Sequence, residues 1–308
     1  MKRAEKRCRV CDVRLSDEGV PERCDQCGFV FLGAGNTRYD YDAEYDENAD
    51  YNAMAPEQVL AHYRAAPNTS WALAHLERLR QTEGFSSLFE FGASQGAFLK
   101  LGADLGYRVH GVELASASIR YGHEKLGLAT SLERGVWRAR RDDEAPVDAV
   151  CAFEVLEHSE DPIDFLRMMR SWARPGGAIF ISVPNGRRLS VRLGRREPQD
   201  LPPHHLMYWT AKSLETAVVR VGFSPVETLT SALTHSDLLH LAAPGIAARR
   251  AVDVGGFQPV GTVKERRGLS GAAKLVFPAL IGVGKKVAGA INQVPELGQR
   301  LMIMARAR

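Results

Sequence analysis

From about residue 86 onward, short apolar runs alternate with glycine turns and helical patterns. Apolar runs bounded by turn residues are typical of buried strands, and apolar positions three and four apart are typical of amphipathic helices. The pattern predicts strands at 88–91, 108–112, 149–153, 178–183, 225–229 and 301–305, and helices at 97–105, 117–126, 162–173 and 211–221. We therefore predict an α/β chain with a Rossmann-like, doubly wound, mostly parallel seven-stranded sheet.

Two helices are predicted ahead of this core. One begins at Pro56, and the other is capped within Asn68 to Ser70 and ends near Gly84. The predicted divisions are a cysteine-bearing module, a connector rich in tyrosine and acids that leads into these helices, the α/β core, and a basic helical insertion or lid followed by the final strand. Their bounds are 1–35, 36–85, 86–230 and 231–308.

Four of the five cysteines form two Cys-x-x-Cys pairs near the start of the chain. They are Cys8, Cys11, Cys24 and Cys27. In a chain with no export signal, paired cysteines indicate metal ligation rather than disulfides, and four thiolates suit one tetrahedral Zn²⁺. We predict a structural zinc in a zinc-ribbon-like module, and redox dithiols or free thiols remain alternatives. Cys151 lies in a predicted core strand and is expected to be inert.

The net charge and the hydropathy exclude few classes of function. The formal net charge of +3 is too small to indicate nucleic-acid binding, and no uncharged apolar run approaches twenty residues. We expect a cytoplasmic protein with no nucleic-acid partner. Between Arg249 and Arg308 there are eleven lysines and arginines against three acids. This stretch is either a solvated helical face or a surface for a membrane or a lipid-linked acceptor.

The first core strand ends in an acid that precedes a glycine turn and a helix. Glu90 comes before Gly92 and Gly96, with Ser94 between them. Glycine allows a tight turn close to a ligand, and the helix that follows offers free N–H groups. Glu113 ends the next strand, where a carboxylate can bind both hydroxyls of a ribose. The acid beside the turn disfavours a pyrophosphate and therefore a nicotinamide dinucleotide.

Four motifs in order resemble those of class I S-adenosylmethionine methyltransferases, near the ubiquinone-biosynthesis and sugar O-methyltransferases. They occupy residues 90–96, 111–113, 153–158 and 174–177, with Ser94 where the family usually has glycine. The resemblance implies that the first motif holds the methionine part of the donor, that Glu113 holds its ribose, and that Phe153 walls the sulfonium. The implied donor-binding residues are Glu90, Gly92, Ala93, Ser94, Gly96, Glu113, Leu114 and Phe153.

Three histidines are candidate bases for a hydroxyl acceptor. His204 and His205 follow a Pro-Pro pair in a segment that should return over the carboxyl edge of the sheet, and His158 lies in the third motif. For each of them a purely structural role remains an alternative. Glu154 and Glu157 could also form a second divalent-metal site together with His158.

The sequence therefore favours an S-adenosylmethionine-dependent methyltransferase that methylates a hydroxyl of a small molecule or saccharide. Two alternatives stay open: an RNA methyltransferase that carries a zinc ribbon, and a non-catalytic scaffold that binds zinc and the cofactor.

Overall fold

A computed structural model describes residues 6–16, 21–33, 52–233, 292, 294 and 297–308. Its strands are β1 (Glu22–Arg23), β2 (Val30–Phe31), β3 (Ser87–Phe91), β4 (Arg108–Glu113), β5 (Leu132–Arg134), β6 (Val147–Phe153), β7 (Ala173–Pro184), β8 (Met207–Tyr208), β9 (Phe223–Thr230) and β10 (Arg300–Ala307). Its α-helices are α1 (Pro56–Ala65), α2 (Pro67–Glu83), α3 (Ala97–Asp104), α4 (Ser116–Leu126), α5 (Pro162–Trp172), α6 (Leu189–Arg192) and α7 (Ala211–Arg220).

Seven strands form the main sheet, in the order β5-β4-β3-β6-β7-β10-β9. The first five pair in parallel, and β10 runs antiparallel to both β7 and β9. The predicted Rossmann-like, mostly parallel seven-stranded sheet is confirmed. The chain proceeds outward from β3 in one direction and then restarts at β6 on the other side. This reversal leaves a crevice at the carboxyl ends of β3 and β6, where ligands bind in such sheets.

All six strands predicted from the sequence are present. The seventh, β5, was missed because it is only three residues long and two of them are exposed, so it carries no apolar run. The helix starting at 162 follows the sequence signals closely. Asp161 caps α5 by accepting hydrogen bonds from the backbone N–H groups of Ile163 and Asp164, and Pro162 occupies the first turn.

The predicted cap of α2 is wrong. The helix begins at Pro67 with Ala66 as its N-cap, so Asn68 and Thr69 lie inside its first turn. Both side chains are buried, and Asn68 reaches across to Ser182 on β7, to whose Oγ it donates a hydrogen bond of 3.0 Å. The polar residues that look like a capping signal therefore face the crevice instead.

The cysteine-bearing segment packs directly on the main domain. Its strands β1 and β2 form a three-stranded sheet with β8, which belongs to the segment between β7 and α7. Its apolar residues join the largest core cluster, where the ring centroids of Phe29 and Trp209 are 4.9 Å apart. Strand pairing was not visible in the sequence because two-residue strands show no periodicity.

Several predicted features lie outside the described residues. They include all of the connector between 36 and 51 and nearly all of the basic insertion between 234 and 296. Within the described part of the chain, no helix combines the length and apolar character needed to cross a membrane.

Candidate active site

A cavity of about 280 Å³ lies at the carboxyl ends of β3, β4 and β6. Six of the eight predicted donor-binding residues line it. These are Glu90, Gly92, Ser94, Glu113, Leu114 and Phe153. Ala93 and Gly96 are absent from the lining; Ala93 is buried behind it, and Gly96 caps α3. The structure thus assembles the predicted residues around one space.

The turn after β3 has three residues with left-handed backbone angles, at every second position. Gly92, Ser94 and Gly96 have φ angles of 64°, 51° and 78°. A Cβ on Gly92 would lie 2.6 Å from Cγ2 of Val155, so this position excludes any side chain. Ser94 adopts a backbone conformation that costs an L-residue about 1–2 kcal/mol. The departure from the usual glycine is accommodated, but the backbone retains the conformation that glycine favours.

The Glu113 carboxylate lies directly beside this turn. Its Oε2 accepts a hydrogen bond of 2.7 Å from the Ser94 backbone N–H, and its Oε1 accepts from those of Leu114 and Ala115 at 2.6 and 3.0 Å. Carboxylate oxygens have further lone pairs, so these contacts orient the group and leave it able to accept from hydroxyls in the cavity. The predicted pairing of this acid with the glycine turn is present.

Glu90 is a buried carboxylate in the cavity wall, only 2% exposed. Among the described residues, nothing hydrogen-bonds to its Oε2. Burial raises the pKa of Glu90 well above its usual value, and the nearby charge of Glu113 adds to this effect. A buried carboxylate without a partner favours a cationic ligand. The ammonium group of a methionine moiety has the required charge and hydrogen-bond donors, so the residues fit an S-adenosylmethionine donor.

A polar network forms part of the cavity wall. Ser182 donates to Oε1 of Glu154 at 2.7 Å, and Oε2 of Glu154 lies 3.3 Å from Nε of Arg300. Glu154 has a φ of 56°, a left-handed angle in a residue other than glycine. Such strain persists where surrounding contacts enforce it. Asn68 completes the network through Ser182.

Only one of the three predicted histidines lines the cavity. His158 does so, and its Nδ1 donates a hydrogen bond of 2.8 Å to the backbone carbonyl of His204. Because a carbonyl can only accept, the proton resides on Nδ1, and Nε2 of the neutral ring carries the lone pair. Burial lowers the pKa of His158 to about 4, so the ring is neutral at pH 7.

His204 and His205 lie behind His158 and not in the cavity wall. His204 contributes its backbone carbonyl to His158, and the His205 ring packs edge-on against that of His158 with centroids 5.0 Å apart. Burial lowers the pKa of His205 to about 3. The segment thus packs against the loop after β6, and of the three predicted histidines only His158 lines the cavity.

The possible second metal site has a different composition from the predicted one. Glu157, His158 and His205 place candidate ligand atoms within 4.8 Å of one another. Glu157 is 1% exposed, and neither of its carboxylate oxygens has a hydrogen-bond partner in the described part of the chain. Glu154 is instead engaged by Ser182 and Arg300. The divalent metal predicted at Glu154, Glu157 and His158 stays a prediction.

The four N-terminal cysteines converge on one point. All are free thiols, and their Sγ atoms lie within 4.8 Å of one another. Cys8 and Cys27 are 3.7 Å apart at Sγ, and Cys11 and Cys24 are 3.5 Å apart. A tetrahedral Zn²⁺ with bonds of about 2.3 Å to sulfur would separate its ligands by roughly 3.8 Å. The cysteine cluster therefore has the size and chemistry of a zinc site, and its sulfurs are too far apart for disulfides.

Sequence reasoning missed several residues of the cavity. His62 and Tyr63 enter it from α1, Asn68 from α2, and Arg300 from the start of β10. Asn68 carried a misleading signal, because its position next to a helix start indicates a cap. The other three have no local motif, since only the packing of distant elements brings them to the cavity.

A Rossmann-like sheet, an acid-flanked glycine turn and an acid at the tip of the next strand around one cavity define an S-adenosylmethionine-dependent methyltransferase. The chain belongs to the methyltransferase-domain family, whose model matches residues 60–228.

Relatives agree with this assignment. A Mycolicibacterium smegmatis protein named as a probable S-adenosylmethionine-dependent methyltransferase is 28% identical over 58% of this chain and 70% of its own length. Ubiquinone biosynthesis O-methyltransferases of Cupriavidus pinatubonensis and Methylocella silvestris are 29% and 32% identical over 45% and 43% of this chain. The chain spans 60% and 51% of the length of these two relatives.

Solved structures share the fold. Haemonchus contortus phosphoethanolamine N-methyltransferase 2, in complex with S-adenosyl-L-methionine, gives a TM-score of 0.52 at 13% identity, covering 91% of this chain and 61% of that one. A chain from the complex between the Haloferax volcanii Trm112 methyltransferase activator and a methyltransferase also gives 0.52, at 15% identity, covering 87% and 97%. At these identities the likeness concerns the fold alone.

Proposed function

We propose that this enzyme transfers the methyl group of S-adenosylmethionine to a hydroxyl oxygen of a small molecule or saccharide. The observation that carries the proposal is the shared cavity, which is lined by Glu113, the glycine turn and a neutral His158. The ubiquinone O-methyltransferase relatives support an oxygen acceptor on a small molecule.

The residues would divide the work between donor and acceptor. Glu90 would pair with the donor's ammonium, and Glu113 would accept hydrogen bonds from its ribose hydroxyls. When bound, the donor supplies an electrophilic methyl group on a sulfonium. His158 would accept the proton of the acceptor hydroxyl at Nε2. Its low pKa keeps that nitrogen unprotonated near neutral pH, as a general base requires.

Donor binding can be tested with the demethylated product, S-adenosylhomocysteine, by isothermal titration calorimetry. Glu113→Gln should weaken binding by roughly tenfold or more, because a charge-assisted acceptor is lost. Glu133→Gln is the matched control, since Glu133 lies in the neighbouring strand β5 but pairs with His110 and does not line the cavity. No binding by the unaltered protein would reject the donor site.

The acceptor can be sought with isotopically labelled S-adenosylmethionine and fractionated metabolites, followed by mass spectrometry of the labelled product. A label on a hydroxyl oxygen supports the proposal. A label on nitrogen, carbon or RNA would replace it.

We also propose that the four-cysteine cluster holds one structural Zn²⁺. The tetrahedral spacing of the sulfurs and the absence of disulfide contact among them support this assignment. Metal analysis of the purified chain should find zinc, and four thiols should become reactive when a chelator removes it. Four freely reactive thiols in untreated protein would reject the zinc site.

A further inference from the structure

The cysteine module is hydrogen-bonded to the segment that carries two of the candidate histidines. We define the cysteine module as residues 6–16 and 21–33, and the acceptor-side segment as residues 204–210. Val30 pairs with Tyr208 and Phe31 with Met207 in antiparallel register, and the Leu32 N–H donates to the Leu206 carbonyl at 2.8 Å. The acceptor-side segment therefore forms the third strand of the cysteine hairpin.

Side chains reinforce this pairing. Oγ1 of Thr210 donates a hydrogen bond of 2.8 Å to the backbone carbonyl of Cys27, 183 residues away in the chain. A Cβ on Gly28 would lie 2.9 Å from Cγ2 of Thr210, so the backbone of the second cysteine knuckle is in close contact with this threonine. Trp209 is fully buried against Phe29. Backbone pairing, the Thr210 hydrogen bond and buried aromatic rings thus act together, which favours a fixed attachment over a flexible one.

The acceptor-side segment in turn contacts the third motif, residues 153–158, which we call the motif loop. The His204 carbonyl accepts the Nδ1 proton of His158, and the Leu206 N–H donates to the Glu157 carbonyl at 2.9 Å. Leu206 thus donates its N–H to the motif loop, and its carbonyl accepts a hydrogen bond from the cysteine module. A continuous set of backbone contacts runs from the cysteine cluster to His158.

Two-residue strands are too short to hold this arrangement alone. Isolated short hairpins are at best marginally stable in water. A metal bound by thiolates from both Cys-x-x-Cys pairs would join the two halves of the module and supply the missing rigidity. Cys8 and Cys11 lie on one half, and Cys24 and Cys27 on the other.

From this geometry we infer that the metal-bound cysteine module is a positioning element for the acceptor side of the active site. It holds the acceptor-side segment in the place where the His204 carbonyl selects the Nδ1–H form of His158. The donor side is held by other hydrogen bonds, because Glu113 accepts from the backbone N–H groups of Ser94, Leu114 and Ala115. The inference rests on the proposed zinc site and the proposed role of His158.

Chelation of the full-length protein provides the first test. After zinc removal, verified by metal analysis, hydrogen exchange at the amides of 204–208 and at 156–158 should rise at least roughly tenfold, while β3 and β4 keep their protection. The affinity for S-adenosylhomocysteine should change by less than about threefold, because the donor side is untouched. Added Zn²⁺ should restore the slow exchange.

The tautomer of His158 reports directly on its hydrogen bond to the His204 carbonyl. In ¹⁵N-histidine-labelled protein, His158 should show a protonated Nδ1 when zinc is bound and a mixture of tautomers after chelation. The His158→Gln variant identifies the resonance.

Thr210 allows a test that leaves the zinc ligands in place. Thr210→Val removes the hydrogen bond to Cys27 and should raise exchange at 204–208 and shift the His158 tautomer, whereas Thr210→Ser should restore both. Ser213→Ala is the matched control. It removes the hydrogen bond that the Thr210 N–H donates to Oγ of Ser213 at the start of α7, and it leaves the bond from Thr210 Oγ1 to the Cys27 carbonyl in place.

The outcomes separate the inference from its premises. If zinc is absent from the native protein, the zinc proposal fails; if S-adenosylhomocysteine does not bind, the donor proposal fails. If zinc can be removed while segment 204–208 and the His158 tautomer stay unchanged, the positioning role is overturned and the zinc site stands. A rise in exchange that is equal in every strand overturns it too, because the module would then support the whole fold.

Discussion

The donor side and the acceptor side of the cavity are held in place by contacts of very different range. On the donor side, Glu113 binds backbone N–H groups that are 1, 2 and 19 residues away. On the acceptor side, His158 binds a carbonyl 46 residues away, and Thr210 binds one 183 residues away. Neighbouring strands therefore build the donor side, whereas the acceptor side exists only when remote segments dock. Acceptor positioning should be the more easily disturbed of the two.

The sharpest test of this difference is His158→Gln. Removal of the base should lower the turnover number roughly 10²- to 10⁴-fold, with the affinity for S-adenosylhomocysteine unchanged. His123→Gln is the control, because His123 also contacts a backbone carbonyl, that of Leu132, but lies outside the cavity. Labelled methyl transfer and calorimetry measure the two effects. Turnover within threefold of the unaltered enzyme would exclude His158 as the base.

The same residue predicts the pH dependence. With a pKa of about 4, His158 should give a rate that is flat above about pH 5 and falls as the ring protonates below it.

The stability of the folded protein should also fall as the pH is lowered. A depressed pKa in the folded state adds stability above the ordinary value near 6.5, and this stability is lost as the pH falls towards 4. Thermal unfolding between pH 7 and pH 4 checks this sign.

Gly92→Ala tests the donor side by local strain. The substitution should destabilise the fold by about 2–4 kcal/mol, since it adds a clash with Val155 to the cost of a left-handed backbone. Gly127→Ala should cost only about 1–2 kcal/mol, because Gly127 has a φ of 71° but open space around its Cβ position. Chemical denaturation measures both. Equal losses would show that the packing against Val155 is not tight.

Glu90→Gln separates two effects of this carboxylate: its contribution to ligand affinity and its destabilisation of the ligand-free fold. The variant should bind S-adenosylhomocysteine roughly tenfold more weakly, because the charge that attracts the ammonium is gone. Its ligand-free form should nevertheless be more stable than the unaltered protein at pH 8. A raised pKa makes the folded state lose stability as the pH rises above the ordinary value, and glutamine escapes this loss. The stability difference should shrink at pH 5.

Ser94→Gly should have the smallest effect. The turn already has a φ of 51° at this position, so glycine relieves strain without moving the backbone N–H that contacts Glu113. We expect a gain in stability of about 1 kcal/mol or less, because the greater freedom of glycine in the unfolded chain offsets part of the relief. Donor affinity should stay the same. A loss of stability would mean that the serine side chain makes a contact worth more than the strain.

Sequence reasoning succeeded where the signal lies in a short stretch. The strand, turn and helix around Gly92 and the acid at Glu113 were recognised because each requires a particular residue type at a fixed spacing. It was least informative for β5, whose exposed three-residue strand gives no periodic signal. It misread Asn68, because a polar residue near a helix start looks the same whether it caps the helix or faces a cavity.

For the cysteine module, the sequence predicted the thiol cluster but not the contacts with the rest of the chain. The number and spacing of the cysteines predicted four converging thiols, which the structure brings together. Nothing in the spacing indicated that β2 pairs with β8 or that the Cys27 carbonyl accepts a hydrogen bond from Thr210. The backbone hydrogen bonds of a two-residue strand do not depend on which side chains it carries. The surrounding packing therefore decides which strand it pairs with.

The amino-acid sequence was enough to predict six of the seven sheet strands, the donor-binding turn and the four-thiol cluster. Each of these leaves its signal in a short stretch of residue types. Tertiary structure alone decided which histidine lines the cavity, and it brought Asn68 and Arg300 into the cavity wall. It also made the cysteine module part of the acceptor side. Those outcomes depend on contacts between residues far apart in the chain, and such contacts form only when the packed core brings their elements together.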